Sequence, residues 1–272
     1  MARQVGRPSA ASFGGEPMVE RAEQQAEGGT VPAGSSDVRD TGYASPRWEF
    51  DDEVTRVFDN MLERSVPQYA TMRAAVTELA QRFVRQGTDV VDLGCSRGEA
   101  MDPLIKKFGA RNRFVGVEVS QPMLDACRSR FAGFIRTNVV SIENLDLRTT
   151  FPAVRASVIL SVLTLMFVPV EYRPRVLRHV RESLVPSGAF ILVEKLLAPH
   201  PVIHDLMIDV YHSMKHSAGY SQDEIERKRF ALEGVLVPQT AAANEAMLRA
   251  AGFSAVEPFW RWMNFGGWLA LP

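Results

Sequence analysis

The segment "VVDLGCSRGEA", residues 90–100, limits the possible folds more than any other stretch of the sequence. A buried-strand pattern runs into a turn in which Gly94 and Gly98 leave room for a ligand to approach the backbone. The helix expected after the turn offers free N-terminal amides to the same ligand. The order Gly94-x-Ser96-x-Gly98 departs from the Gly-x-Gly-x-x-Gly spacing of dinucleotide-binding turns, because the last glycine comes one residue early. The turn therefore favours a nucleotide-like ligand other than NAD.

Apolar strand patterns and amphipathic helical patterns alternate after this turn, which predicts a parallel sheet with helices on both faces. Strands are expected at 88–94, 113–119, 134–142, 156–166 and 189–194, and helices at 99–108, 121–131 and 171–184. The C-terminal "AVEPFWRWMNFGGWLAL" predicts two more strands with a short connection. A parallel core that ends in such a pair is typical of class I methyltransferases that use S-adenosylmethionine (SAM). We therefore expect an α/β, Rossmann-like fold with a mostly parallel seven-stranded sheet.

Composition divides the chain into a tail and one large domain. Residues 1–46 are rich in Gly, Ser, Pro, Ala and Glu, so burial cannot offset their ordering entropy and we expect a disordered tail. A transit peptide is the alternative, which the acidic residues of the segment disfavour. Residues 47–272 are expected to form the SAM-binding domain, with cap helices within 47–86 and a helical lid inserted at 195–240.

Charge and cysteine content limit the classes of partner and the cellular compartment that we expect. The 31 Lys and Arg residues nearly balance the 32 Asp and Glu residues, so no overall basic field attracts nucleic acid or a membrane surface. No apolar run is long enough to predict a membrane span. Cys95 and Cys127 fit reduced thiols better than a disulfide framework. These observations predict a cytoplasmic protein that does not act on a large macromolecule.

Two carboxylates follow later strands and extend the pattern that begins at Asp92. Glu118 ends the second strand, where a carboxylate can accept hydrogen bonds from both ribose hydroxyls. Asp146 follows the third strand, where it can accept a hydrogen bond from an adenine amine. A glycine turn alone occurs in many α/β proteins, and Asp146 alone could be a surface carboxylate. The ordered set on successive strand ends is more specific than any one of its members.

Two histidine pairs, His200 with His204 and His212 with His216, have the i, i+4 spacing of helical metal ligands. No Glu follows the first histidine, and no clear third ligand is present, so exposed helix residues are the simpler interpretation. We therefore expect no metal. Neither a GxSxG motif nor a Cys-His arrangement indicates a hydrolase.

From Trp48 to the C-terminus, the chain resembles carboxy-S-adenosylmethionine (carboxy-SAM) synthases, methyltransferase-fold enzymes that modify SAM itself. The resemblance covers about four fifths of the chain and depends on "FDDEVTRVFDNMLERSVPQY", "DLGCSRG", "AGYSQDEIERKRFALEGV" and "WRWMNFGG". It implies a homodimer in which a lid arginine, Arg229 here, reaches the ligand of the neighbouring subunit. The motifs and the resemblance together assign to SAM the residues Tyr69, Asp92, Gly94, Cys95, Ser96, Gly98, Glu118, Val119, Asp146, Leu147, Ser161 and Arg229.

The sequence departs from that family beside the expected sulfonium site. Ser161 stands where the family carries Asn, and Val162 and Met166 replace its Phe and Gln. This part of the pocket is therefore expected to form fewer hydrogen bonds. Glu118 replaces an Asp, which is a mild change.

Three residues are expected to carry the chemistry. Aromatic faces attract a sulfonium by cation–π interaction, and Tyr69 and Tyr220 are the candidates for such a cage, with core packing as the alternative for each. Arg229 would otherwise be one charge of the solvated run "EIERKRF", but a planar guanidinium suits bidentate recognition of a carboxylate. Tyr69, Tyr220 and Arg229 are the predicted catalytic residues.

The sequence supports four functional hypotheses, of which the first, cyclisation of SAM, is the favoured one and the second is its main alternative. The less polar pocket favours cyclisation of SAM, in which its own amine displaces methylthioadenosine to give azetidine-2-carboxylate, as in natural-product pathways. The retained Arg229 favours synthesis of carboxy-SAM from SAM and prephenate, which serves tRNA wobble-uridine modification. Methyl transfer to a small acceptor is supported by the fold alone, and a SAM-binding regulator without catalysis is the fourth hypothesis. SAM is the expected ligand in each case, and neither nucleic acid nor a membrane is an expected direct partner.

Overall fold

The computed structural model describes residues 47–272, which form a mixed sheet with helices on both faces. The strands are β1 (Asp89–Leu93), β2 (Arg113–Glu118), β3 (Val140–Asn144), β4 (Ala156–Val162), β5 (Leu184–Leu197), β6 (Gln239–Thr240), β7 (Ala255–Trp262) and β8 (Phe265–Leu271). The helices are α1 (Asp52–Ser65), α2 (Tyr69–Phe83), α3 (Asp102–Phe108), α4 (Gln121–Arg130), α5 (Ala132–Arg136), α6 (Arg173–Ser183), α7 (Pro201–Ser217), α8 (Gln222–Ala231) and α9 (Ala241–Ala250). None of these helices is long and apolar enough to cross a membrane. The predicted tail, 1–46, lies outside the described residues.

Parallel strands form the part of the sheet that surrounds the glycine-rich turn. β1 lies at its centre, paired with β2 on one side and β4 on the other, and β3 and β5 extend it outward. β8 pairs antiparallel with β5, and β7 with β8, so the order is β3-β2-β1-β4-β5-β8-β7, with β6 beside β5. The carboxyl ends of β1, β2, β4 and β5 therefore meet at one edge of the sheet.

Apolar side chains cover both faces of this sheet. Val90 belongs to the cluster under α2 and α3, whereas its neighbour Val91 belongs to the cluster under α6 and α9, because successive side chains of a strand point to opposite faces. A third cluster joins α1 to α4 and α8 through Phe58, Met123 and Ala231. The cap helix α1 is thus fixed over the edge where the parallel strands end.

The lid, residues 195–240, leaves and rejoins the sheet at one place. It contains the end of β5, then α7 and α8, and then β6, which pairs parallel with β5 through Leu196 and Gln239. The buried guanidinium of Arg173 donates to the carbonyl oxygens of Val168 at 2.8 Å and Val237 at 2.6 Å. It therefore joins the turn after β4 to the chain that leaves α8.

The predicted arrangement of a parallel core with a C-terminal strand pair is confirmed, with differences in detail. The third strand begins at Val140 rather than at 134, since 134–136 lie in α5 and Asn138 (φ 56°) follows that helix in a left-handed conformation. The fourth strand ends at Val162, and Leu165–Phe167 form a 3₁₀ turn. The two-residue β6 adds an eighth strand to the seven expected.

Candidate functional site

A cavity of about 1130 Å³ opens at the edge where the parallel strands end. β1, β2, β4 and β5 contribute Asp92, Glu118, Val162 and Lys195 to its wall, and α1, α2, α7 and α8 contribute further side chains. In parallel α/β sheets, ligands bind at this edge, outside the carboxyl ends of the strands. The fold therefore provides a large pocket where the sequence predicts the SAM site.

The turn after β1 contains three residues with left-handed backbone conformation: Gly94 (φ 73°), Ser96 (φ 47°) and Gly98 (φ 87°). Gly94 lines the cavity, and a Cβ there would collide with the side chain of Thr164. Gly98 does not line the cavity, and a Cβ there would collide with the Phe131 ring behind the turn. Ser96 lines the cavity in a conformation that usually selects glycine. Gly94 and Ser96 thus form the ligand side of the turn, and Gly98 forms its packed side.

Backbone amides fix the carboxylate of Glu118. The Ser96 amide donates to Oε2 at 3.0 Å, and the amides of Val119 and Ser120 donate to Oε1 at 2.8 and 3.0 Å. The residue is 9% exposed, and it lines the cavity. A carboxylate accepts about four hydrogen bonds, so a lone pair remains for a ribose hydroxyl in an orientation that the amides determine. This geometry suits a contact with one ribose hydroxyl, rather than with both as the sequence predicts.

Asp146 lines the cavity, but it already has a partner in the protein. Arg148 donates from Nε to both carboxylate oxygens, at 3.0 and 2.9 Å, and from its backbone amide at 2.8 Å. The side-chain hydrogen bond with Arg148 holds the pKa of Asp146 below its usual value. An adenine amine bound here would therefore be an additional donor to a carboxylate that already accepts hydrogen bonds from Arg148. Val119 and Leu147 also line the cavity and give its wall apolar surface.

Tyr69, Arg73 and Asp92 line the wall where α2 approaches β1. Asp92 is 2% exposed, and burial raises its pKa to about 7 against the opposing effect of the Arg73 charge. Burial also raises the pKa of Tyr69 to about 12, so its hydroxyl stays protonated at neutral pH. Tyr69 thus presents a neutral aromatic ring and a hydrogen-bond donor, which suits the predicted cage.

Five basic side chains that line the cavity near Tyr211 form what we call the basic cluster: Lys195, His212, Lys215, Lys228 and Arg229. The ammonium groups of Lys195 and Lys215 lie 4.9 and 4.7 Å from the centre of the Tyr211 ring. Burial and the Lys228 charge lower the pKa of Lys195 to about 8. Burial and nearby cationic charges, of which Lys215 is the largest, lower the pKa of His212. An anion bound here would oppose the cationic charge that lowers the pKa of Lys195 and of His212.

The apolar wall beside the turn comes from the end of β4. Ser161 is buried in the sheet and does not line the cavity, whereas Val162, Leu163 and Met166 do. Because successive side chains of a strand point to opposite sides, the predicted Ser161 contact is displaced by one residue. The sulfur of Met166 accepts a hydrogen bond from the Lys195 amide at 3.4 Å. This wall therefore offers a ligand apolar contact in place of the predicted hydroxyl.

Tyr220, one of the predicted catalytic residues, does not line the cavity. It is buried behind the wall, where its hydroxyl lies 3.2 Å from Oγ of Ser65. Tyr211 is the lid tyrosine that lines the cavity. Arg229 does line it, from an exposed position on α8, within its own subunit.

Arg73, Lys195 and Tyr211 line the cavity but are absent from the predicted site. Arg73 follows Tyr69 by about one helical turn, and residues four apart share a helix face, so the Tyr69 assignment also indicates Arg73. Lys195 follows the buried pattern of β5 at the ligand-binding end of a parallel strand, which is a usable signal. Tyr211 has no comparable signal, because its orientation depends on how α7 packs.

The histidine pairs and the two cysteines are the other candidate ligands in the sequence. Within residues 47–272, no three His, Cys, Asp or Glu side chains come together as a metal site. Nδ1 of His216 lies 2.9 Å from the Tyr220 carbonyl oxygen. Cys95 and Cys127 are free and buried, and Cys95 also lines the cavity.

Known proteins resemble this chain along most of its length. The family model described as a methyltransferase domain matches residues 90–188. The chain is 41% identical over 223 residues to the carboxy-S-adenosyl-L-methionine synthase of Methylococcus capsulatus, which covers 82% of this chain and 92% of that protein. The protein of the same name from Actinobacillus pleuropneumoniae is 35% identical over 239 residues, covering 86% of this chain and 99% of the other.

Solved structures resemble it in fold. An O-methyltransferase family protein from Burkholderia thailandensis superposes with a TM-score of 0.58 at 19% identity, over 81% of this chain and 60% of that chain. At this level of identity the similarity concerns the fold alone. The superposition confirms the predicted class I methyltransferase fold.

Proposed function

Because the chain belongs to the carboxy-SAM synthase family of the class I SAM-dependent methyltransferase superfamily, we propose that it forms carboxy-SAM from SAM and a carboxylate co-substrate such as prephenate. Its relatives and its methyltransferase domain make it a SAM-dependent enzyme. The proposed SAM site extends from Asp146 and Glu118 across Gly94 and Ser96 towards Tyr69. The proposed co-substrate occupies the end of the cavity that the basic cluster surrounds.

The charges of Lys195 and Arg229, two members of the basic cluster, carry this proposal. SAM contains one carboxylate together with an ammonium and a sulfonium, so it cannot neutralise a cationic pocket. Lys195 and Arg229 line the cavity, and within residues 47–272 neither forms an ion pair. A second substrate with carboxylate groups would neutralise them, and the planar guanidinium of Arg229 suits bidentate recognition. A reaction of SAM alone would leave the charges of Lys195 and Arg229 without an anionic partner among residues 47–272.

A second candidate is cyclisation of SAM to azetidine-2-carboxylate and methylthioadenosine. Val162, Leu163 and Met166 favour it, because an apolar wall excludes water and offers no hydrogen bond to a second substrate. This reaction needs no anionic partner, so the basic cluster supports it less well than it supports carboxy-SAM formation.

The proposal includes a homodimer that uses helix α7. Four apolar side chains on α7 are between 43% and 61% exposed: Val202, Ile203, Leu206 and Val210. Phe230 of α8, next to Arg229, is 57% exposed. Exposed apolar side chains on these two helices favour burial against a second copy, and Arg229 would then lie beside the interface. Sedimentation of the wild type and of Leu206→Arg tests this, and a monomeric wild type would contradict it.

The proposed compartment is the cytoplasm. Both thiols are free, which suits a reducing environment. The near balance of 31 basic and 32 acidic residues favours small-molecule substrates over nucleic acid.

Product analysis tests the proposed reaction. The purified protein is incubated with SAM, with and without prephenate, and the products are identified by mass spectrometry. Carboxy-SAM that forms only with prephenate supports the proposal. Methylthioadenosine with an azetidine amino acid, formed without prephenate, would overturn it in favour of cyclisation. S-adenosylhomocysteine that forms only with an added acceptor would indicate methyl transfer, and SAM binding without turnover would indicate a binding protein.

A further inference from the structure

Two oppositely charged side chains face the cavity without a polar partner among the described residues, 47–272. Asp92 is buried at the carboxyl end of β1, and Arg73 is partly buried on α2. Within residues 47–272 neither side chain forms a hydrogen bond or an ion pair. Burial raises the pKa of Asp92 and the Arg73 charge opposes that rise, so the two side chains are neighbours.

Such groups are costly in free energy when no partner compensates their loss of water. The other two strand-end carboxylates of the predicted site have partners, since backbone amides bind Glu118 and Arg148 binds Asp146. Asp92, at the end of β1, differs from both because it accepts no hydrogen bond from residues 47–272. Together, Asp92 and Arg73 are complementary to a ligand that brings one cation and one anion close together.

The order of the strands places this pair at a definite end of the ligand. Glu118, which suits a ribose, lies on β2, on one side of β1. Arg73 lies on α2, which packs against β4 and β5 on the other side of β1. A ligand with its ribose at Glu118 crosses the turn at Gly94 and directs its far end towards Asp92 and Arg73. In SAM that end is an amino acid group, with its ammonium and carboxylate on the same carbon atom.

We propose that Asp92 and Arg73 together recognise the amino acid group of SAM, Asp92 through the ammonium and Arg73 through the carboxylate. This inference depends on the proposal that SAM occupies the cavity, but not on which product forms. Tyr69, about one helical turn before Arg73, closes the same wall. Lys195 is the competing partner for the carboxylate, and it lies on β5, two strands beyond β1. The pair would select SAM over nucleosides that lack the amino acid group.

Calorimetric titration with three probes tests the assignment. S-adenosylhomocysteine contains the complete amino acid group, its decarboxylated analogue lacks the carboxylate, and methylthioadenosine lacks the whole group. Arg73→Met and Asp92→Asn should each weaken S-adenosylhomocysteine binding by about 10- to 100-fold, because each loses a charge-assisted hydrogen bond. Neither should weaken methylthioadenosine binding, and Arg73→Met should not weaken binding of the decarboxylated analogue. Arg82→Met, at an exposed position of the same helix, is the matched control.

The probe series separates recognition from folding. Equal losses for S-adenosylhomocysteine and methylthioadenosine would overturn the inference, because the variant would then have damaged the whole site. Unchanged S-adenosylhomocysteine binding in Arg73→Met, with a loss in Lys195→Met, would also overturn it by assigning the carboxylate to the basic cluster. A wild-type protein that binds none of the probes would overturn the proposed use of SAM, and this inference with it. Failure of carboxy-SAM formation alone would leave the predicted binding pattern intact.

Discussion

The hydroxyl of Tyr211 donates a hydrogen bond to the backbone carbonyl of Ser65 at 2.8 Å, which joins the lid helix α7 to the end of the cap helix α1. Both residues are buried, and the ring of Tyr211 also lies beside the ammonium groups of Lys195 and Lys215. One side chain therefore connects the position of the lid with that of the basic cluster.

Tyr211→Phe removes this hydrogen bond and keeps the ring. A buried hydrogen bond contributes about 1 kcal/mol, so we expect the Tm to fall by about 2–4 °C. The KM for prephenate should rise as well, because the ring of Tyr211 beside Lys195 and Lys215 is then held less firmly. Thermal unfolding and steady-state kinetics measure the two effects. Tyr172→Phe, a tyrosine whose hydroxyl bonds no described residue, is the control, and an unchanged Tm in Tyr211→Phe would exclude a stabilising role for the contact.

The charge of Lys195 predicts a pH dependence. Burial and the Lys228 charge lower the pKa of Lys195 to about 8, so its ammonium loses its proton as the pH rises through that value. We expect kcat/KM for prephenate to fall above about pH 8, since the attraction for the carboxylate is lost. Lys195→Met should remove this inflection, raise the prephenate KM about tenfold or more, and leave SAM affinity unchanged. A wild-type profile that stays level through pH 8 would contradict the assignment.

Glu118→Gln tests the ribose contact. The variant keeps the shape of the side chain but replaces one carboxylate oxygen with an amide nitrogen, which would face backbone donors. We expect S-adenosylhomocysteine and methylthioadenosine to bind about tenfold or more weakly, because both contain the ribose. Glu143→Gln, on the neighbouring strand β3 and outside the cavity, should bind both as the wild type does. Wild-type affinity in Glu118→Gln would place the ribose elsewhere.

Glu194 should make the folded state less stable as the pH rises. It is 1% exposed in β5, and burial raises its pKa to about 8 from the usual 4.5 against the opposing Arg173 charge. The folded state then binds more protons than the unfolded state between these values, so the free energy of unfolding decreases from about pH 4.5 to about pH 8. Glu194→Gln should lack this pH-dependent contribution. The difference between its Tm and the Tm of the wild type should therefore increase in favour of the variant from about pH 4.5 to about pH 8. Parallel Tm curves for the two proteins would show that Glu194 does not titrate in this way.

Arg229→Ala should lower activity without changing the fold. The side chain is exposed on α8 and contacts the cavity, so its loss should reduce kcat/KM for prephenate while the Tm stays the same. Arg227→Ala, an exposed arginine of the same helix that does not line the cavity, is the control. Equal kinetics in the two variants would show that Arg229 is a solvated surface residue with no role in binding prephenate.

Much of the sheet and the nucleoside end of the site can be predicted from sequence, because strand ends follow from local patterns. Gly94 follows the buried strand β1, Glu118 ends β2, and both line the cavity. Ser161 is misplaced because a shift of one residue reverses the side of a strand to which a side chain points. The choice between Tyr211 and Tyr220 depends on contacts with Ser65, about 150 residues away in sequence, which no local pattern encodes. The short apolar run at 134–136 could be strand or helix, and only packing decides.

The pairing of Leu196 with Gln239 has an evolutionary consequence. An insertion whose two ends lie side by side can change in length or be exchanged without moving the strands around it. Glu118 and Gly94 belong to the sheet, whereas Lys215 and Lys228 belong to the inserted helices. Mutations that select a new second substrate can therefore accumulate in one module while the nucleoside contacts stay under separate constraint.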